Sequence, residues 1–200
     1  MKKSSLKIIL FIFTFSFMIG WWMVNIYNNL VKLNENVKTQ WSQVENVYQR
    51  RSDLIPNLVN TVKGASYFEK DTLNKITQSR AKMGTVQVDP DKLNQNQIDH
   101  FQKAQEDFRH SIHQFILTVE NYPDIKSTKN FSELQNQLEG TENRINVERN
   151  RFNDQVNNFN TYRNQFPKIM IANFFKEFQE KGYFKSQISS EKSPIVDFAY

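Results

Sequence analysis

The sequence predicts an all-α protein: an N-terminal transmembrane helix followed by an elongated antiparallel bundle of four helices. Three observations lead there. Apolar residues recur alternately three and four positions apart over two long stretches, residues 30–62 and 98–122. A mean step of 3.5 puts them on one stripe of a helix that a neighbouring helix must bury. Gly and Pro number only 5 each in 200 residues, too few for a turn-rich β architecture. Finally, Ile8 to Val24 is an uncharged apolar run near the N-terminus.

Taken in order, that run comes first. With Leu6 before it and Ile26 and Tyr27 after it, it approaches the ~20 residues needed to cross a bilayer. Trp21, Trp22 and Tyr27 stand at its far end, where aromatic rings favour the lipid–water interface. A cleaved signal peptide needs small residues before the cut, whereas Gly20-Trp21-Trp22-Met23 follows here. An uncleaved anchor over residues 1–27, in contact with the bilayer through residues 6–27, is the expectation. Lys2, Lys3 and Lys7 precede the run and only Lys32 and Lys38 closely follow it. The positive-inside rule then leaves the N-terminus in the cytoplasm and the bundle on the other side of the membrane, as a single-pass protein.

Residues 28–184 are assigned to the bundle. The first seam runs Leu30, Leu33, Val37, Trp41, Val44, Tyr48, Arg51, Ile55, Leu58 and Val62. Pro56 falls inside this helix and removes a backbone donor, with Ser52 and Asp53 near the freed groups. Gly64-Ala65-Ser66 offers a turn, after which Leu73, Ile76, Arg80 and Met83 mark a shorter helix ending near Gly84. Asp89-Pro90-Asp91 signals the next start. Its seam is Ile98, Phe101, Gln105, Phe108, Ile112, Phe115, Val119 and Tyr122, stopped by Pro123. The last long helix begins with Asn130 or Ser132 as cap. Its seam reads Phe131, Leu134, Leu138, Thr141, Ile145, Glu148, Phe152, Val156, Phe159 and Phe166, closed by Pro167. A short amphipathic helix from Ile169 to Phe178 follows, and Gly182 ends it. Residues 185–200 are assigned to a flexible tail.

The charge balance, 26 basic against 21 acidic residues for a net +5, describes a mixed solvated surface. No basic stripe interleaves with aromatics, so no nucleic-acid partner is expected. Without cysteine there is neither disulfide nor thiolate. Asp107, His110 and His113 are spaced three apart, but the last two point away from the Phe108–Ile112–Phe115 stripe and read as surface residues. Arg51, Arg80 and Glu148 occupy seam positions where apolar residues are expected. Either their stems pack while their heads reach water, or Arg51 or Arg80 meets Glu148, Glu142 or Asp53 in a partly buried ionic layer that sets helix register. Gly140 in mid-helix suggests close approach of a neighbouring backbone. Phe174, Phe175 and Phe178 read first as core, and alternatively as an exposed patch for a partner or membrane surface. No nucleophile–base set, phosphate loop or HExxH helix occurs. No enzyme, cofactor or metal site is expected.

The stretch Gln49-Arg50-Arg51-Ser52-Asp53-Leu54-Ile55-Pro56-Asn57-Leu58-Val59 resembles the most distinctive motif of the LemA family. Trp41-Ser42, Thr61-Val62-Lys63-Gly64, Glu69, Ser79-Arg80-Ala81, Tyr122-Pro123 and Asn130-Phe131 agree in order. So do Leu138-Glu139-Gly140-Thr141-Glu142-Asn143-Arg144-Ile145, Phe166-Pro167 and Tyr183-Phe184. The resemblance spans nearly everything after the apolar run. It departs at Phe152-Asn153 and Phe159-Asn160, where the family usually has Tyr-Asn, and at Phe68, where a His is common. It implies an N-terminal membrane segment with a LemA-like four-helix bundle, no established catalytic activity, and association with other envelope proteins. The family-motif residues it singles out are Arg50, Arg51, Asp53, Pro56, Arg80, Glu142, Arg144 and, from the seam, Glu148. The expected role is a non-catalytic, membrane-anchored scaffold or adaptor. A structural homo-oligomer that shapes the membrane is the alternative, and a metal-binding or hydrolytic protein is a remoter one.

Overall fold

A computed structural model of the chain describes residues 3–63 and 68–186. Gly64-Ala65-Ser66 and the tail beyond Ser186 lie outside the described residues. All regular structure among those described is helical. It comprises α1 (Lys3–Lys63), α2 (Lys70–Gly84), α3 (Gln95–Val119), the single turn α4 (Pro123–Lys126), α5 (Lys129–Asn164) and α6 (Lys168–Phe174). Tight turns at Pro90–Lys92 and Lys176–Phe178 complete it.

The helix starts follow local capping chemistry. Asn94 accepts from Gln97 N–H at 3.0 Å and starts α3, while the Asp89-Pro90 signal opens only the 90–92 turn. Thr128, not Asn130 or Ser132, caps α5. Its hydroxyl accepts from the Phe131 N–H at 3.3 Å.

α1 packs along α5, and α2 along α3. Gln40 meets Glu148 and Arg51 meets Glu142, so α1 and α5 run antiparallel. Phe68 just before α2 lies against Phe115 and Ser79 meets Ser111, which makes α2 and α3 antiparallel as well. Trp41 against Phe101 and Arg51 against Gln105 show α1 and α3 running the same way across the core. The four long helices therefore alternate up and down, as short connections dictate.

The seams form the core. Ile98, Phe101, Gln105, Phe108, Ile112, Phe115 and Val119 of α3 are all buried, as are Leu30, Val37, Trp41, Val44, Tyr48, Arg51, Ile55, Leu58 and Val62 of α1. Leu33 is half-buried, and Asn34 takes the inward place between Leu30 and Val37. Apolar packing divides into two clusters. The near cluster, next to the apolar run, gathers Ile26 to Tyr48 with Phe101, Phe152, Phe159, Phe178 and Phe184. The far cluster gathers Leu54 to Val62 with Ile76, Phe108, Phe115 and Leu138.

Three further expectations are corrected. After Ile145 the buried position passes to Arg149, and Glu148 is half-buried. Phe166 is 82% exposed rather than closing the seam. The amphipathic helix expected over 169–178 is two pieces, α6 and the 176–178 turn.

Candidate functional site

Between the two apolar clusters lies a polar layer built on Arg51. Its side chain is almost wholly buried, yet it stands where the heptad calls for an apolar residue. One guanidinium nitrogen, Nη1, donates to Glu142 Oε1 on α5 at 2.7 Å. The other, Nη2, donates to Gln105 on α3, to Oε1 at 2.6 Å and to the carbonyl at 3.0 Å. The cation also lies over the rings of Tyr48 and Phe108, at 5.1 and 5.4 Å. One side chain thus ties α1 to α3 and α5 at a single level. Burial pushes the Tyr48 hydroxyl above its ordinary range, and the nearby Arg149 and Arg51 charges oppose that rise.

Beside it stands a second device. Pro56 has no N–H, so the carbonyl of Ser52 four residues back loses its helical partner. α1 nevertheless continues through Pro56 to Lys63. Arg80 of α2 supplies the missing donor: its Nε reaches Ser52 O at 3.0 Å and Ser52 Oγ at 3.1 Å. Asp53 lies 3.8 Å from the same guanidinium. The proline therefore opens an acceptor on α1 that an arginine on α2 fills, which links Arg51-Ser52-Asp53-Leu54-Ile55-Pro56 to Ser79-Arg80 in space.

Other motif residues lie outside this layer. Arg50 and Arg144 are exposed. Glu148 accepts from Gln40 at 2.7 Å and pairs with Arg151 at 2.9 Å, away from Arg51. His110 and His113 are exposed. No cluster of three or more metal-ligating side chains occurs among the described residues. A Cβ on Gly140 would meet nothing within 4 Å, so no helix approaches there. Of the proposed aromatic patch, Phe178 is 1% exposed and Phe175 half-buried, leaving Phe174 at 84%.

The sequence reading missed a third feature altogether. Residues 181–186 run extended between α3 and α5, held through their main chain. A carboxamide side chain carries one acceptor and one donor group, so it can pair with both the N–H and the C=O of a single residue. Four do so here. On α5, Asn160 pairs with Lys181 (2.9 and 3.0 Å) and Asn153 with Phe184 (2.9 and 2.9 Å). On α3, Gln95 pairs with Tyr183 (3.0 and 3.0 Å) and Gln102 with Lys185 (3.1 and 3.1 Å). On α5 the two rungs are two helical turns apart, ~10.5 Å, close to the span of the three extended residues from Lys181 to Phe184 at ~3.3 Å each.

The strap also feeds the core. Phe184 packs against Trp41, Phe101 and Phe152. Arg149 lies over its ring at 4.9 Å and donates to Lys185 O at 2.7 Å. The strap needs Gly182, where a Cβ would lie 2.6 Å from Gln95 Cα. Close backbone approach thus occurs at this glycine and not at Gly140. Lys181 is 3% exposed, and burial lowers its pKa, reinforced by the Lys38 charge and opposed by Asp91, Asp89 and Glu35. The signal for this feature was present in the sequence. Asn153 and Asn160 repeat at seven on one helix, and Gln95 and Gln102 repeat at seven on another.

Among the described residues, α3 and α5 flank a groove of about 460 Å³ at the level of Ile112 and Leu138. Ile112, Ile116, Leu117 and Leu138 supply its apolar lining, rimmed by Arg109, Glu139 and Asn146.

The LemA family model matches residues 40–198, from Trp41's neighbour through the bundle and the strap. The chain belongs to the LemA family. It is also similar to a protein named Protein LemA from Metamycoplasma hominis, 27% identical over 121 residues, which is 59% of this chain and 50% of that protein. The chain thus aligns with about half the length of that curated relative. The matched region contains all three arrangements: the Arg51 layer, the Arg80–Ser52 bond and the Asn/Gln rungs.

Proposed function

We propose that this LemA-family chain is a non-catalytic membrane-anchored scaffold or adaptor, offering its helical bundle to another protein of the bacterial envelope. The observation that carries this reading is the continuity of α1. One helix holds an apolar stretch long enough to cross a membrane, none of it buried, and then the central seam of the bundle. Nothing along that helix interrupts the connection, so the bundle stands at a fixed distance from whatever holds the apolar stretch. Arg51, Arg149 and Asn160, all buried, are committed to helix-to-helix and helix-to-strap bonds, an architectural use. The α3/α5 groove, apolar inside with a charged rim, is the surface offered to a partner.

Photo-crosslinking residues placed at Leu117, Glu139 and Asn146 in living cells test this, with Asn57 on α1 as the control face. Adducts with one envelope protein from the groove positions alone are the expected result. Adducts only with a second copy of the chain would replace the scaffold by a homo-oligomer. The side of the membrane is tested separately. The chain has no cysteine, so an Asn143→Cys variant reports through a membrane-impermeant maleimide. Labelling of intact cells, permeabilised first if they carry an outer membrane, is expected. Labelling only after lysis would put the bundle in the cytoplasm.

A further inference from the structure

Outside the run of residues 8–24, only three large apolar side chains among those described are more than half exposed: Phe166 (82%), Met170 (66%) and Phe174 (84%). They are spaced four apart, on and just before α6. The opposite side of α6 is spent on the core, with Ile171 and Ala172 buried. Their location is as specific as their exposure. α6 packs against α1 and α5. The turn after it reaches Tyr27, whose hydroxyl donates to Glu177 at 3.0 Å and whose ring meets Phe175 and Phe178 at 5.0 and 5.4 Å. On α1 the exposed apolar run ends at Val24, and Ile26 is the first buried residue. α6 therefore sits at the level where the apolar run stops and the bundle begins. Trp21 and Trp22 are exposed one turn below.

We propose that α6 and the turn before it form a foot in the lipid headgroup layer, seating Phe166, Met170 and Phe174 in the bilayer surface beside the point where α1 emerges. The inference rests on α1 spanning the membrane. An apolar face at that height meets the headgroup–acyl boundary, where aromatic and thioether side chains partition favourably. Lys176, two residues past Phe174, is exposed, and a cation there meets lipid phosphates. Two contacts, a span and a foot, would fix the bundle's tilt and its rotation about α1, where a lone span fixes neither.

The test uses the full-length chain in vesicles of phosphatidylethanolamine and phosphatidylglycerol. Single nitroxides are placed at Met170→Cys, Phe174→Cys, Phe15→Cys in the apolar run and Asn150→Cys on the exposed side of α5. Collisions with oxygen report lipid, and collisions with a water-soluble nickel chelate report solvent. The expected result is an oxygen-to-nickel ratio several-fold higher at 170 and 174 than at 150, and highest at 15. A lipid signal at 15 with nickel access at 170 and 174 overturns the foot and leaves the span intact. Nickel access at 15 overturns the span, and the foot with it. Immobile labels at 170 and 174 shielded from both reagents mean that a protein covers this face, which also overturns the foot.

Discussion

The near and far halves of the bundle share α1, α3 and α5 but complete their cores with different material. In the far half a regular helix, α2, lies against α3 and reaches α1 through Arg80. There α3 and α5 flank a groove lined by Ile112, Ile116, Leu117 and Leu138. In the near half that groove is filled by an extended strap whose peptide groups are read by Asn153, Asn160, Gln95 and Gln102. A helix satisfies its own backbone and brings only side chains to the core. An extended chain wedged between helices has no neighbouring strand, so the helices must supply donors and acceptors from their side chains. Hence the far half needs little beyond an apolar stripe, and the near half needs amides at fixed spacing and a glycine. The Arg51 layer divides the two and engages both.

Removing Arg51 is the strongest way to break this division. Arg51→Ala strands Glu142 and Gln105 at the junction. Glu142 keeps some hydration, so the expected loss is at the lower end for a broken buried pair, about 3 kcal/mol. It is read as a drop in thermal midpoint followed by circular dichroism, and an unchanged midpoint would mean that the layer stabilises nothing.

Gly182→Ala comes next. Its new methyl meets backbone and not a flexible side chain, and overpacking of that kind costs about 1–3 kcal/mol. Its effect should be regional. Hydrogen exchange is expected to quicken in 95–102 and 153–160 while 108–119 stays protected. Equal loss in both halves would show that the strap and the far core are one cooperative unit.

A smaller effect is expected at the proline. Arg80→Met leaves the Ser52 carbonyl unpaired, costing about 1–2 kcal/mol. Adding Pro56→Ala returns an N–H to that carbonyl, so the double variant should recover most of the loss. Additive losses in a double-mutant cycle would refute the coupling.

The smallest effect concerns Lys181. Its folded pKa is lowered by burial. Between that lowered value and the ordinary one near 10.5, the unfolded chain binds more protons than the folded one. Stability therefore rises with pH through that window. Lys181→Met should remove that rise while keeping an unbranched side chain of similar reach at this position. A denaturant midpoint that climbs equally in both proteins would assign the slope to another group.

Much of the architecture was legible because helix periodicity and burial are the same fact seen twice. The α3 seam from Ile98 to Val119 is buried residue for residue, and the Arg51 position within α1 stood out as a charge on an apolar stripe. Periodicity could not choose between Glu148 and Arg149, since both continue a three-four pattern from Ile145. The strap decides it, because its Lys185 carbonyl accepts a hydrogen bond and its Phe184 ring attracts a cation, and only Arg149 offers these. Phe178 and Phe174 likewise look alike in sequence, and only the fold of the 175–178 turn sends one inward and leaves the other out.

By itself, the sequence determined the class of this protein: a helical chain with one apolar run, a four-helix core and a LemA-family motif set. Those properties are local, carried by spacing, caps and prolines that act over a few residues. Tertiary structure alone decided that Pro56 and Arg80 are partners, that four distant carboxamides read one extended strap, and that Phe166, Met170 and Phe174 gather where the apolar run ends. Each of these joins groups far apart in sequence. A hydrogen-bond donor shows its need for an acceptor in the sequence, but which acceptor it meets is fixed only when the helices pack.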